Sequence, residues 1–159
     1  MSMPRWIENT LEHEHVDFRP RYHPPCFTAQ QVAEEEHFSG HRVAKVVIVM
    51  AAGRPVEVVL PACERVDLEA VRKSLGCTHC RLAVEKEMDS LFDDCEVGTA
   101  PPLRHWPDVD ILLDRHLPHS GPILFQAGTH QDAIEMQFVD WYRITRPQEG
   151  NFAIKKLAN

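Results

Sequence analysis

The chain has 159 residues, 43% of them apolar and 26% charged, with a formal net charge of −7. These fractions belong to folded proteins and exclude collagen-like, mucin-like and disordered classes; the length suits one compact domain with a core of its own. The acidic balance excludes a general DNA-coating role, which needs an excess of lysine and arginine.

Taken in chain order, Trp6, Ile7, Thr10 and Leu11 share one face of a short helix that follows Ser2 and Pro4. Val16, Phe18, Pro20 and Tyr22 alternate as in a strand, and Pro20 assigns that strand to a sheet edge. His23-Pro24-Pro25 ends it. Thr28 followed by Gln31 resembles a capping box and opens a helix over 29–36. Residues 43–50 form the most apolar strand of the chain, 51–54 a turn and 55–60 the partner strand, a hairpin suited to the middle of a sheet covered on both faces.

Asp67 caps the next helix, which carries Leu68, Val71 and Leu75 on one face and stops at Gly76. A strand over 81–83, a helix over 85–92 and a loop over 94–103 follow. Three further strands are expected at 111–113, 123–125 and 134–138. Residues 1–146 read as a single mixed α/β domain and 147–159 as a C-terminal tail beyond its core.

The first residues contain no apolar run and no small-residue cleavage site, so a secretory signal is not expected. The longest apolar stretch, 46–52, is far short of the roughly 18 residues of a membrane span. The five cysteines, Cys26, Cys63, Cys77, Cys80 and Cys95, are an odd number. They suit free thiols in a reducing cytoplasm better than a disulfide framework.

Lys45 interrupts the apolar strand, on the same face as Val43, Val47 and Val49. A lysine there either snorkels to water near the strand end or meets an anion, and as a point charge it suits a phosphate or a developing oxyanion. Gly98-Thr99-Ala100-Pro101-Pro102 is either an ordinary connection or a loop whose N–H groups hold a carbonyl or phosphate oxygen. Ala127-Gly128-Thr129-His130-Gln131-Asp132 follows an apolar strand; His130 is either an exposed turn residue or an acid/base or hydrogen-bonding group in a cleft. Cys77-Thr78-His79-Cys80 has half of a zinc motif and no second pair. Signatures of zinc peptidases, zinc deaminases, serine hydrolases and nucleotide-binding loops are absent from the sequence.

An ordered series of these pieces resembles the YbaK/prolyl-tRNA-synthetase-associated editing domain family over residues 16–142. It comprises Tyr22-His23-Pro24-Pro25 with Thr28-Ala29, Arg42-Val43-Ala44-Lys45, Val59-Leu60-Pro61-Ala62, Val66-Asp67-Leu68, Phe92 to Gly98 with Pro101-Pro102, Ala127-Gly128-Thr129-His130 and Ile134-Glu135-Met136. The resemblance implies a mixed α/β fold with a strongly bent sheet flanked by helices. It implies a freestanding deacylase that hydrolyses a mischarged aminoacyl-tRNA in trans, with alanine or cysteine on proline tRNA as candidates.

In that reading Lys45 binds the phosphate or ribose of the terminal adenosine. Gly98 backbone orients the aminoacyl carbonyl and the attacking water, and His130 positions the substrate. Tyr22, His23, Arg42, Thr99, Pro101, Pro102, Gly128, Thr129 and Asp132 line the substrate site. The terminal 2′-hydroxyl assists, so no protein nucleophile, metal or other cofactor is expected. The implied partner is the tRNA 3′ aminoacyl end, with no role for DNA or a membrane.

Val46 stands where several active members carry Thr or Asn. This keeps open a second reading, a module of the same fold that binds a tRNA end or nucleotide without hydrolysis. A third reading, a metal- or redox-responsive protein, rests on Cys77 and Cys80. Arg143, Arg146, Lys155 and Lys156 against Glu149 give residues 141–159 a charge of +3. With Arg19, Arg21 and Arg42 these cations are the expected contacts to the RNA backbone.

Overall fold

The computed structural model describes residues 2–155. Helix α1 (Arg5–His13) buries Ile7 and Leu11 completely, the face the sequence pattern marks. Strand β1 (Phe18–Tyr22) lies at the edge of a three-stranded sheet beside β8 (Asp132–Gln137) and β7 (Pro122–Gln126). At that edge Pro20 forfeits no ladder bond that the sheet needs. Helix α2 (Ala29–Glu35) starts at Thr28, whose hydroxyl accepts from the Gln31 N–H at 3.1 Å. The Gln31 side chain accepts from the Phe27 N–H at 2.8 Å, one residue earlier than in a true capping box.

Strands β2 (Ala44–Ala51) and β3 (Arg54–Pro61) pair antiparallel along their whole length. They occupy the middle of a five-stranded sheet in the order β5-β2-β3-β6-β9. Of these, β5 is Cys80–Leu82, β6 Asp110–Asp114 and β9 Gln148–Gly150. The sheet is mixed, because β6 runs parallel to both β3 and β9. A parallel bridge between Val43 and Leu124 joins it to the three-stranded sheet.

Asp67 accepts from the Ala70 N–H at 3.1 Å and starts α3 (Leu68–Leu75), which ends at Gly76. Helix α4 (Glu85–Leu91) has no polar cap side chain of its own. Glu87 reaches back to the Val84 N–H at 3.0 Å while pairing with Arg81 at 2.7 Å, and these contacts lower its pKa to about 2.

The segment from Pro147 onward is not a tail beyond the core. Strand β9 extends the main sheet, and β10 (Ala153–Lys155) pairs with β4 (Glu64–Val66). Phe152 between them is 2% exposed, packed against Leu60, Val71 and Leu112. Lys156 and the rest of the chain lie outside the described residues. Helix α5 (Phe138–Thr145) is a further element that the sequence pattern does not announce. It buries Trp141 in the main cluster with Phe125, Leu103 and Leu113.

Candidate functional site

The loop after α4 and the turn after β7, far apart in sequence, are bonded into one unit. Within the first, the Thr99 hydroxyl donates to the Glu96 carbonyl at 2.6 Å and the Thr99 N–H donates to the same oxygen at 3.1 Å. This closes a turn in which Gly98 takes φ +80°, a left-handed value that favours glycine. Gly128 then docks on that turn twice: its N–H donates to the Thr99 carbonyl and its carbonyl accepts from the Glu96 N–H, both at 2.9 Å. The Glu96 carboxylate accepts the His130 N–H at 3.0 Å, and His130 Nε2 lies 3.0 Å from the Val97 carbonyl, so the ring donates there from Nε2.

Thr129 is almost fully buried and holds the second turn together. Its hydroxyl donates to Asp132 at 2.6 Å and accepts the N–H groups of Gln131 and Asp132. Gly128 has φ +90°, and a Cβ there would collide with the Pro4 ring. A Cβ at Gly98 would meet nothing within 4 Å, and the Gly98 N–H has no acceptor among the described residues. Gly98 is exposed, so an oxygen from outside can approach its backbone. Pro101 and Pro102 are buried, and the Pro102 carbonyl accepts the indole N–H of Trp141 at 2.7 Å, which fixes the loop exit to α5.

Beside Gly98 is a small apolar cavity of about 30 Å³, walled by Val46, Ile48, Met88, Phe92, Cys95 and Ala100. That volume holds roughly one water-sized group. Burial and the neighbouring Asp94 push the Cys95 thiol up to about 12. It is protonated at neutral pH and is no nucleophile there.

Strand alternation turns Lys45 to the opposite face of β2 from Val46. Lys45 is half-buried and its Nζ lies 3.4 Å from the Ala62 carbonyl; it does not line the cavity at Gly98. Lys45 follows the Val43–Leu124 bridge by two residues on β2, as Gln126 does at the end of β7, the strand that feeds Gly128. Gln126 is 7% exposed and its amide nitrogen has no hydrogen-bond partner.

His23 is buried, with Nδ1 2.7 Å from the Pro24 carbonyl and its backbone N–H bonded to Gln131. Tyr22 is 73% exposed beside the same turn, paired in register with Asp132. Arg42 lies at the other end of β7, where its guanidinium donates to the carbonyls of Ser120 and Pro122. Arg21 is held by Glu36 and Glu135. Arg143 and Arg146 border an open cleft of about 470 Å³ with Arg104 and Glu14.

Gly98, Thr99, Pro101, Gly128, Thr129, His130 and Asp132 thus come together, with Tyr22 and His23 against the second turn. Glu96, whose side chain and backbone join the two turns, is a site residue with no role expected from sequence. So is Phe27, which is 67% exposed with its ring centroid 4.8 Å from that of His130. A large aromatic directly before a helix cap was the available signal for Phe27; none marked Met88 or Phe92 as cavity walls.

A family model described as "Aminoacyl-tRNA editing domain" matches residues 23–144, which contain both turns and the cavity. No curated protein matches the chain. Among solved structures, hypothetical protein APE2540 superposes with a TM-score of 0.84 at 21% identity, covering 93% of this chain and 99% of that one. The crystal structure of "a putative trans-editing enzyme for prolyl tRNA synthetase" gives 0.81 at 18% identity, covering 94% and 96%. A longer "putative signal transduction protein" from Marinobacter aquaeolei VT8 gives 0.74 at 15% identity, covering 97% of this chain and 31% of that one. These likenesses show the fold.

Proposed function

The chain belongs to the aminoacyl-tRNA editing domain family, and from that membership we propose that it hydrolyses the ester of a mischarged aminoacyl-tRNA in trans. The observation that carries the reading is the pair of bonded turns, which presents an open Gly98 backbone beside a cavity of about 30 Å³. A carbonyl oxygen set on the Gly98 N–H is polarised as charge develops on it. Water adds to the carbonyl carbon, and the bond from that carbon to the ribose oxygen breaks. The ribose oxygen takes a proton, with the neighbouring hydroxyl of the terminal ribose assisting, and the free amino acid leaves.

His130 is held by Glu96 and Val97 and fixes the rim against which the substrate rests. Lys45, from the end of β2 nearest Gln126, supplies the positive charge for the phosphate or ribose of the terminal nucleotide. The cavity supports a substrate whose side chain is no larger than that of alanine or cysteine, since it takes about one small group. The trans-editing description of one structural neighbour accords with action on proline tRNA.

The test is a deacylation panel on tRNAs charged with alanine, cysteine and larger amino acids. Lys45→Ala is expected to lower kcat/KM by about 10–100-fold, the loss of one charged contact worth ~1.5–3 kcal/mol. Equal rates from a folded variant would remove Lys45 from the site. Val46 favours a second reading, because it presents only methyl groups to the cavity. In that reading the protein binds the tRNA end without turnover, and binding with no hydrolysis on any member of the panel would establish it.

A further inference from the structure

Away from the paired turns, two carboxylates are buried together with little to neutralise them. Glu64, on β4, is 2% exposed, and Asp114, at the end of β6, is fully buried. His116, two residues beyond Asp114, has a side chain 46% exposed and places Nδ1 2.7 Å from Glu64 Oε1 and 3.1 Å from Asp114 Oδ2.

The carboxylate of Asp114 is provided for by backbone. Its Oδ1 accepts the Phe152 N–H at 2.8 Å and its Oδ2 accepts the His116 N–H at 2.9 Å. Glu64 is not provided for. Its Oε1 meets His116 at 2.7 Å without hydrogen-bond geometry, and its Oε2 has no partner. A carboxylate taken out of water demands a partner for both oxygens, and a single half-exposed imidazole does not supply it. Among the described residues this is the one group of three or more His, Cys, Asp or Glu side chains whose ligand atoms all lie within 4.8 Å of one another.

We propose that Glu64, Asp114 and His116 bind one divalent metal ion. Two carboxylates and one imidazole form a mixed oxygen–nitrogen set that suits Mn²⁺, Zn²⁺ and neighbouring first-row ions. Three protein ligands leave positions for water, which enters from the open side of His116. The ion occupies the place where His116 now sits against both acids, and the unpartnered oxygen of Glu64 becomes a ligand.

The site shares no residue with the paired turns or the cavity beside Gly98. Asp114 is one residue beyond the Val59–Leu113 pair, level with Leu60, and Leu60 pairs with Lys45. Two strand spacings, about 10 Å, therefore separate Asp114 from Lys45. The ion is a structural fastener. Glu64 belongs to β4, which pairs with β10, and Asp114 holds Phe152 between β9 and β10. The metal joins the end of β6 to the last strands of the described chain. This inference does not rest on the deacylase reading.

The probe is Mn²⁺, which thiolates bind poorly, so the Cys77–Cys80 pair does not compete. Protein stripped with a chelator and dialysed is titrated while the electron paramagnetic resonance signal of free Mn²⁺ is recorded. One ion per chain is expected to disappear from the signal. His116→Ala and Glu64→Gln, both checked for native circular dichroism, are expected to weaken binding at least tenfold. A Cys77→Ser/Cys80→Ser variant is expected to bind like the wild type. Mn²⁺ is also expected to raise the thermal midpoint of the wild type and not of His116→Ala. No binding, or binding unchanged in both site variants, overturns the proposal, as does loss of binding in the double cysteine variant.

Discussion

At the residue scale the unusual position is Glu57. It sits on the central strand β3, paired with the cavity-wall residue Ile48, and is 1% exposed. His105 lies beside it with Nδ1 3.7 Å from Oε1, too far for a hydrogen bond, and donates instead to the Leu103 carbonyl at 3.1 Å. Trp6 and Phe92 pack on the imidazole at 4.7 and 4.3 Å between ring centroids. Burial pushes the Glu57 carboxyl up, and His105 pulls it back only in part. The folded state therefore favours the neutral acid more than the unfolded chain does, where a glutamate ionises at about 4.3. The stability that Glu57 contributes is complete below that pH and is lost as the pH rises above it toward the folded value. Glu57→Gln keeps the shape and cannot ionise. Urea unfolding is expected to find the variant close to wild type at pH 4 and more stable than wild type at pH 8. A difference of the opposite sign at pH 8 would show that the ionised Glu57 is well paired.

At the scale of elements, the two glycines of the site divide the work. Both have left-handed φ, but only Gly128 has a neighbour where a Cβ would go. Gly98→Ala is expected to cost the backbone strain alone, about 1 kcal/mol. Gly128→Ala adds a clash with Pro4 and is expected to cost about 2–3 kcal/mol. Thermal melts of the two variants test the order. Both turns were legible in the sequence as glycine-bearing loops, because glycine and proline act locally. So were the caps at Thr28 and Asp67, which rest on one side-chain hydrogen bond each. Helix α5 was not. It begins at Gln137 with no side-chain cap, ends at Arg146 with φ 48° rather than at glycine, and contains Phe138, Val139, Trp141 and Tyr142, all at home in strands. What makes it a helix is tertiary: Trp141 is buried and its indole reaches Pro102. The face of Lys45 was legible from alternation, whereas the role of Val46 on the other face depends on Met88 and Phe92 arriving from α4.

For the whole molecule, the C-terminal strands alter how its charge and its core are understood. Residues 148–155 were legible only as polar sequence with scattered apolar positions, since three-residue strands carry no period of their own. Their structure comes from partners: β9 on β6, β10 on β4, and Phe152 in the cluster with Leu60 and Leu112. Phe152→Ala is expected to cost about 3–5 kcal/mol, as for other buried phenylalanines, and denaturant unfolding measures it. A loss under 1 kcal/mol would return the segment to the status of a tail. The acidic total of −7 stands, and several cations expected to meet RNA are engaged internally, Arg21 by two glutamates and Arg42 by two carbonyls. Arg143 and Arg146 remain at an open cleft. No helix among the described residues is long and apolar enough to cross a membrane.

The contact of Pro4 with Gly128 also bears on the order in which the protein takes shape as it is made. The residues it joins are separated by most of the sequence, so the second turn has no wall to rest on until α1 has docked. Emerging from the ribosome, α1 waits through the synthesis of seven strands before its partner appears. The first turn waits as well, since Gly128 supplies two of its hydrogen bonds. A chain stalled before residue 128 holds most of its apolar residues and the first turn without its partner, which makes the joined site one of the last contacts to form.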